Sequence, residues 1–406
     1  MSYSKGYEED ILMPVFTTLY NEYEHTNNIC QFCEDYRQDN VATRFLLVRS
    51  LDKSNLKDII TMYSNDNTCG NMRVLTEKAY HSAVTIEQLI DYIISKRPEL
   101  IEQREHELER LPEVLADFPV VSCGVRNDKV DDIVKAFVRN KSLKTMDALF
   151  DELDNSVLPR IRQYSLWSYY NQTSNDIIEL FFLKHTSVIP TLRKIHDIDF
   201  FIKIGNDIVP FDLKFTHISD SYFDLASQGI IRDVSPMTHD DFYIDPASES
   251  SEIKVIKAYY SAFKRAHRDL GLPNLSGLEK NDLCNLLLQT GDNEAKNFVI
   301  EMQRNHSAFV PATPEQLYPL EWWNYKYQGE RLFCNNNRLF VFLAYANKFV
   351  DGRELKGKTA EIGRKITSLL DNLTMNDIHT VKYRYDKEVS LAGDYSALSL
   401  STIYSE

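Results

Sequence analysis

Between residues 197 and 216, apolar and polar positions alternate, break at Gly205-Asn206-Asp207, and resume. Ile198, Phe200, Ile202 and Ile204 alternate with Asp199, Phe201 and Lys203, and on the return Val209, Phe211, Leu213 and Phe215 alternate with Asp212, Lys214 and Thr216. A period of two marks a strand, and Gly and Asn accept the backbone angles of a tight reversal, so the stretch predicts a β-hairpin. Upstream, helical spacing runs over residues 8–23, 56–63, 75–83, 86–95, 130–138 and 143–153, and then through the segment holding Glu179. Downstream, residues 219–251 read as polar loop, 253–270 as a helix, 340–346 as a buried strand and 359–373 as a helix. Residues 379–385 and 395–404 read as closing strands. No internal repeat is visible.

The hairpin sets Asp199 beside Asp212 and Lys214, so two carboxylates and an ammonium share one patch. Mg²⁺ takes hard oxygen ligands and keeps several waters, so one or two carboxylates plus a substrate phosphate suffice to hold it. A lysine two residues beyond a carboxylate lies on the same strand face, where it can orient a water or offset charge developing on phosphate. A rival set is Glu252-Ile-Lys254 with Asp240, Asp241 and Asp245 upstream, but its loop composition offers no strand to align the groups. The bland alternative for Asp199, Asp212 and Lys214 is the solvated face of an edge hairpin.

On these residues the chain resembles the PD-(D/E)XK nucleases, and within them the type II restriction endonucleases. In that family a helix bearing a Glu precedes a strand with the first Asp and then a strand with Asp/Glu-x-Lys. Glu179 within Trp167–Phe182, then Asp199, then Asp212-Leu-Lys214 follow that order, with twelve residues between the two aspartates. Asn337-Arg338-Leu-Phe-Val and Leu355-Lys356 are similar to the later core strand and basic segment, whereas Ile198 stands where the motif names a proline. The resemblance runs from about Asp151 onward. It implies an α/β fold with a restriction-endonuclease-like core, a mixed central β-sheet flanked by helices, carrying a helical N-terminal region. It implies a division into residues 1–118, for recognition or dimerisation, and a catalytic domain over 119–406. The implied activity is Mg²⁺-dependent, sequence-specific cleavage of double-stranded DNA by a homodimer, since one active site cuts one strand. In that reading Asp199 and Asp212 bind the ion with the Leu213 carbonyl, Glu179 orients a metal-bound water or second ion, and Lys214 positions water or stabilises charge. Asn171, Gln172, Thr216, Lys257, Arg265, Arg338 and Lys356 are the expected DNA contacts. A repair or junction-resolving nuclease on the same core, and a non-catalytic DNA-binding protein of that fold, are the alternatives.

Composition narrows this frame. The 406 residues are 43% hydrophobic, with only 13 Gly and 13 Pro, which marks a globular chain with a sizeable core. The first residues lack the apolar stretch of a signal peptide and no run is long enough to span a membrane, so a cytoplasmic location is expected. A net charge of −14 forces any DNA-attracting potential to be local. The expectation is that basic residues of 254–268 and 338–365 gather on the catalytic face, while the acidic run 99–117 points away. Six cysteines suit a reducing compartment. Cys30-Gln-Phe-Cys33, with His25 before it, lacks the second ligand pair a structural zinc needs, so buried thiols are expected instead.

Overall fold

The computed structural model describes residues 16–64, 69–118, 127–232, 242–244, 251–276, 278–329 and 333–406. A six-stranded mixed sheet forms its centre. In chain order the strands are β1 (Val188–Ile195), β2 (Ile198–Ile204), β3 (Asp207–His217), a separate small hairpin β4 (Ile230–Arg232) and β5 (Phe242–Ile244), then β6 (Arg338–Ala344), β7 (His379–Tyr385) and β8 (Gly393–Ser405). The sheet order is β1-β2-β3-β6-β8-β7. The β1–β2–β3 meander is antiparallel, β3, β6 and β8 run parallel, and β7 pairs antiparallel with β8.

The predicted hairpin is β2–β3. Ile204 pairs with Asp207 across a two-residue turn whose first position, Gly205, has φ +61°. That angle at the first of two turn positions is the one a type II′ reversal requires, and a glycine adopts it without strain. Neither face of the hairpin is wholly solvated, because helices pack on both sides, although Asp199, Lys203 and Lys214 remain exposed. Phe200, Ile202, Val209, Phe211 and Phe215 pack with Leu339, Val341 and Leu343, under the helices Leu158–Lys184 and Thr359–Asp371. Phe201, on the other face, joins a cluster built mainly by the N-terminal helices, among them Phe16–His25, Val41–Arg49, Met72–His81 and Ile86–Glu107. Ile189 and Ile198 belong to the same cluster, so the N-terminal region shares its core with the first two strands. A third cluster lies under β6, β7 and β8 and includes Tyr325 of the helix Pro314–Lys326.

Several expectations are corrected. Strand β1 had no counterpart in the pattern, because Pro190 and the polar residues that follow interrupt it; the β1–β2 register is irregular between Pro190 and Ile195. The polar segment after the hairpin contains the helix Asp220–Ser227, whose Tyr222, Phe223 and Ala226 are buried. The helix expected from residue 253 starts at Glu252, which is buried against Lys280 and His306 and so forms no open cluster with Lys254. Asp240, Asp241 and Asp245 of that rival set, residues 1–15 and the connection at 119–126 lie outside the described residues. Cys30 is buried and its thiol donates to Asn337 Oδ1 at 3.0 Å. No helix among the described residues is long and apolar enough to cross a membrane.

Candidate active site

The register of β2 and β3 pairs Phe200 with Phe211, which sets Asp199 opposite Asp212. One step further the ladder opens. The Leu213 N–H, which regular pairing would aim at a β2 carbonyl, donates instead to Asp199 Oδ2 at 2.8 Å. The N–H and C=O of one strand residue leave the same edge, so the Leu213 carbonyl faces this opening too. Asp212 is held from the other side: its N–H donates to the Asn337 carbonyl at 2.9 Å, and its Cα is in register with Arg338 of β6. Lys214 Nζ lies 2.9 and 2.8 Å from the two Asp212 oxygens, and Arg338 Nε lies 3.5 Å from Oδ2. Asp199 and Asp212 are therefore adjacent across the strands, with the two cations on Asp212.

Glu179 reaches the same place from the helix Leu158–Lys184. With Asp199 it lines a groove of about 260 Å³ walled by Leu100, Leu180, Leu183, Leu192 and Ile195, with Arg104, Arg193 and Lys194 among its cations. Burial raises Glu179 to about 7; the charges of Asp199 and Asp176 add to the rise, and Lys194 and Arg104 oppose it. Burial also pushes Asp199 up, with Asp212 adding, against the Leu213 N–H and Lys214. Solvent nonetheless reaches the Asp199 side chain, as expected at the floor of an open groove. Carboxyls made uncomfortable by burial and by each other are a frequent mark of functional sites, although structural networks produce them as well.

Set beside family models, curated proteins and solved structures, the chain matches none.

The donor set suits a hard divalent cation: two facing carboxylates, a backbone carbonyl on the strand edge that faces Asp199, and Glu179 in the adjoining groove. Among the described residues no three His, Cys, Asp or Glu side chains converge as a ready ion cage, so substrate oxygens and water would have to complete the coordination.

The remaining expected residues separate into two groups. Lys257 and Arg265 are exposed on the helix Glu252–Ala266, Gln172 is exposed with its amide on Asp176, and Thr216 is half-buried on β3. Arg338 and Lys356 are corrected from surface contacts to buried groups, 5% and 2% exposed. The Arg338 guanidinium donates to Gln328 and to the Cys334 carbonyl, and lies over the Tyr325 ring. Lys356 donates to Asn171 Oδ1 at 2.7 Å and Asn175 Oδ1 at 3.0 Å, over the Phe215 ring, so Asn171 is occupied as well. The helix Ile86–Glu107 borders the site, but it presents Leu100 and Arg104 to the groove, and no acid of the run 99–117 is among the groove's lining residues. Its charge is partly matched there, through Arg104 with Glu107 at 3.2 Å and Lys184 with Glu105 at 2.5 Å. Arg104 and Lys194 are the residues the sequence reading missed; both stand in stretches whose pattern gave no sign of facing Glu179.

Proposed function

We propose that the protein is a metal-dependent phosphodiesterase acting on double-stranded DNA, of the restriction-endonuclease type within the PD-(D/E)XK nucleases. The observation that carries this reading is Asp199 facing Asp212 across an opened ladder, with Lys214 on Asp212 and Glu179 in the adjoining groove. The order of elements supports it: a Glu-bearing helix, three antiparallel strands, and a further strand parallel to the third.

In this proposal Asp199, Asp212 and the Leu213 carbonyl hold Mg²⁺, with Glu179 beside them. The ion, when bound, supplies charge stabilisation to the phosphate and lowers the pKa of a water. The protein's own groups do the rest. Glu179, with a pKa of about 7, can take or return a proton near neutrality, as a base handling the attacking water must. Lys214 is half-exposed on a flexible stem, so its ammonium can leave Asp212 for a phosphate oxygen whose charge increases during attack. The apolar walls beside the carboxylates limit water on one side. Two copies acting as a homodimer would cut both strands of a symmetric site.

The test is conversion of supercoiled plasmid in Mg²⁺ by the wild type and by Asp212→Asn. The wild type nicks or linearises DNA at defined positions, and mapping the ends separates a site-specific enzyme from a structure-directed one. Asp212→Asn binds DNA but does not cut it. Wild-type cleavage by that variant sinks the assignment.

A further inference from the structure

Asp212 has two cationic neighbours, and the shorter contact belongs to Lys214. We infer that Arg338 is nevertheless its permanent partner, a positioning residue that keeps the Asp212 carboxylate oriented and leaves Lys214 free for substrate; the second clause rests on the nuclease reading.

The inference starts from where the two charges stand. The Lys214 side chain is 45% exposed and the Arg338 side chain 6%. A pair held by a long lysine whose ammonium is half in water contributes less, because water competes for that charge and ordering the chain costs entropy. A buried guanidinium has no such alternative: it stays protonated, and without an opposite charge its desolvation is uncompensated. Arg338 cannot turn away to find one. It is pinned by Gln328 Oε1 at 3.0 Å, by the Cys334 carbonyl at 2.9 Å, and by the Tyr325 ring 4.9 Å from its Cζ. These partners are fixed in turn, since the Tyr325 hydroxyl donates to the Asn336 carbonyl at 2.7 Å and the Cys334 N–H donates to Gln328 Oε1 at 3.3 Å. Asp212 is the only carboxylate in ion-pair range of Arg338 among the described residues. Register places the two side chains on the same face of adjacent parallel strands. Arg338 Nε has no hydrogen-bond partner and lies 3.5 Å from Asp212 Oδ2, so a small shift of the carboxylate closes that gap when Lys214 leaves.

Double-mutant cycles on stability test the pairing without reference to activity. Asp212→Asn and Arg338→Met are made singly and together, and a second cycle pairs Asp212→Asn with Lys214→Met. The expected result is a coupling of at least about tenfold in the unfolding equilibrium for Asp212 with Arg338, and under about threefold for Asp212 with Lys214. Should Arg338→Met alone not fold, the comparison is Asp212→Asn against the Asp212→Asn/Arg338→Met pair, which must be the more stable because it leaves no lone buried cation. Titration with Mn²⁺ alone supplies the functional readout. Lys214→Met binds Mn²⁺ within about threefold of wild type yet does not cleave, Arg338→Met loses at least about tenfold in Mn²⁺ affinity, and Arg338→Lys recovers part of it. Additive Asp212 and Arg338 effects, or a larger coupling to Lys214, overturn the inference. A wild type that neither binds Mn²⁺ nor cleaves plasmid in its presence removes the nuclease reading, while the stability cycles still decide the pairing.

Discussion

Glu179 carries a cost that one substitution exposes. Its carboxyl is raised from an ordinary 4.5 to about 7, mainly by burial and secondarily by Asp199. At 1.36 kcal/mol per pH unit, holding it ionised in the folded chain costs about 3 kcal/mol. Below pH 4.5 the folded and unfolded chains both keep the proton, and Glu179 contributes nothing to the pH dependence. Between 4.5 and 7 the unfolded chain releases a proton that the folded chain retains, so stability falls as pH rises. Above 7 the full cost is present. Glu179→Gln keeps the shape and removes the charge, so the variant should match wild type at pH 4.5 and exceed it by about 3 kcal/mol at pH 8, a few degrees in melting temperature. Calorimetric melts in EDTA at pH 4.5, 6 and 8 read this directly. Added Mg²⁺ or Mn²⁺ should shrink the gap at pH 8, because a cation relieves the wild type alone. A gap of the same size at all three pH values would falsify the burial-and-repulsion account of Glu179.

Three further outcomes follow from the packing and the surface. In Gly363→Ala, on the helix Thr359–Asp371, the new methyl overlaps the Phe181 ring. Overpacking should outweigh the helix-propensity gain for a net loss of about 1–2 kcal/mol, and because Phe181 lies two residues from Glu179, cleavage should fall more than melting temperature does. Lys356→Ala leaves the Asn171 and Asn175 amide oxygens without this donor and opens space over Phe215, for a loss of about 2–4 kcal/mol by chemical denaturation. Arg265→Glu, on the exposed helix surface, should instead leave melting unchanged, weaken DNA binding and flatten its salt dependence by about one log–log unit; unchanged affinity and slope place the DNA elsewhere.

What could be read from the sequence was local. The β2–β3 hairpin was legible because alternation and the Gly-Asn turn agree, and both act within a few residues. The proximity of Asp199, Asp212 and Lys214 followed from strand geometry alone. Arg338 and Lys356 were misjudged because the burial of a cation depends on distant partners: Asp212 and Tyr325 for one, Asn171, Asn175 and Phe215 for the other. Strand β1 was invisible because Pro190 and its polar followers break the period that the neighbouring strand nonetheless satisfies. That the helix Ile86–Glu107 borders the site through Leu100 and Arg104 was not legible, because which face of that helix meets the groove depends on how it packs.

The long connection between β3 and β6 has a consequence for how the chain can vary. It leaves the sheet after His217, in register with Leu343, and returns at Arg338, in register with Asp212 on the neighbouring parallel strand, so its ends lie one strand spacing apart sideways and roughly 17 Å apart along the strands. Part of it, the helices Glu252–Ala266, Lys280–Gln289 and Asn293–Ser307, is organised around an apolar cluster that Phe349 joins from beyond β6, and around the buried Glu252, Lys280 and His306. Lengthening or shortening such an excursion changes closure entropy only logarithmically, by about 0.6 kcal/mol per doubling. That stretch is therefore an exchangeable attachment. Provided Tyr325, Gln328 and Cys334 keep their places around Arg338, a lineage or a designer can swap it for another while the distance between Asp212 and Arg338 stays as it is.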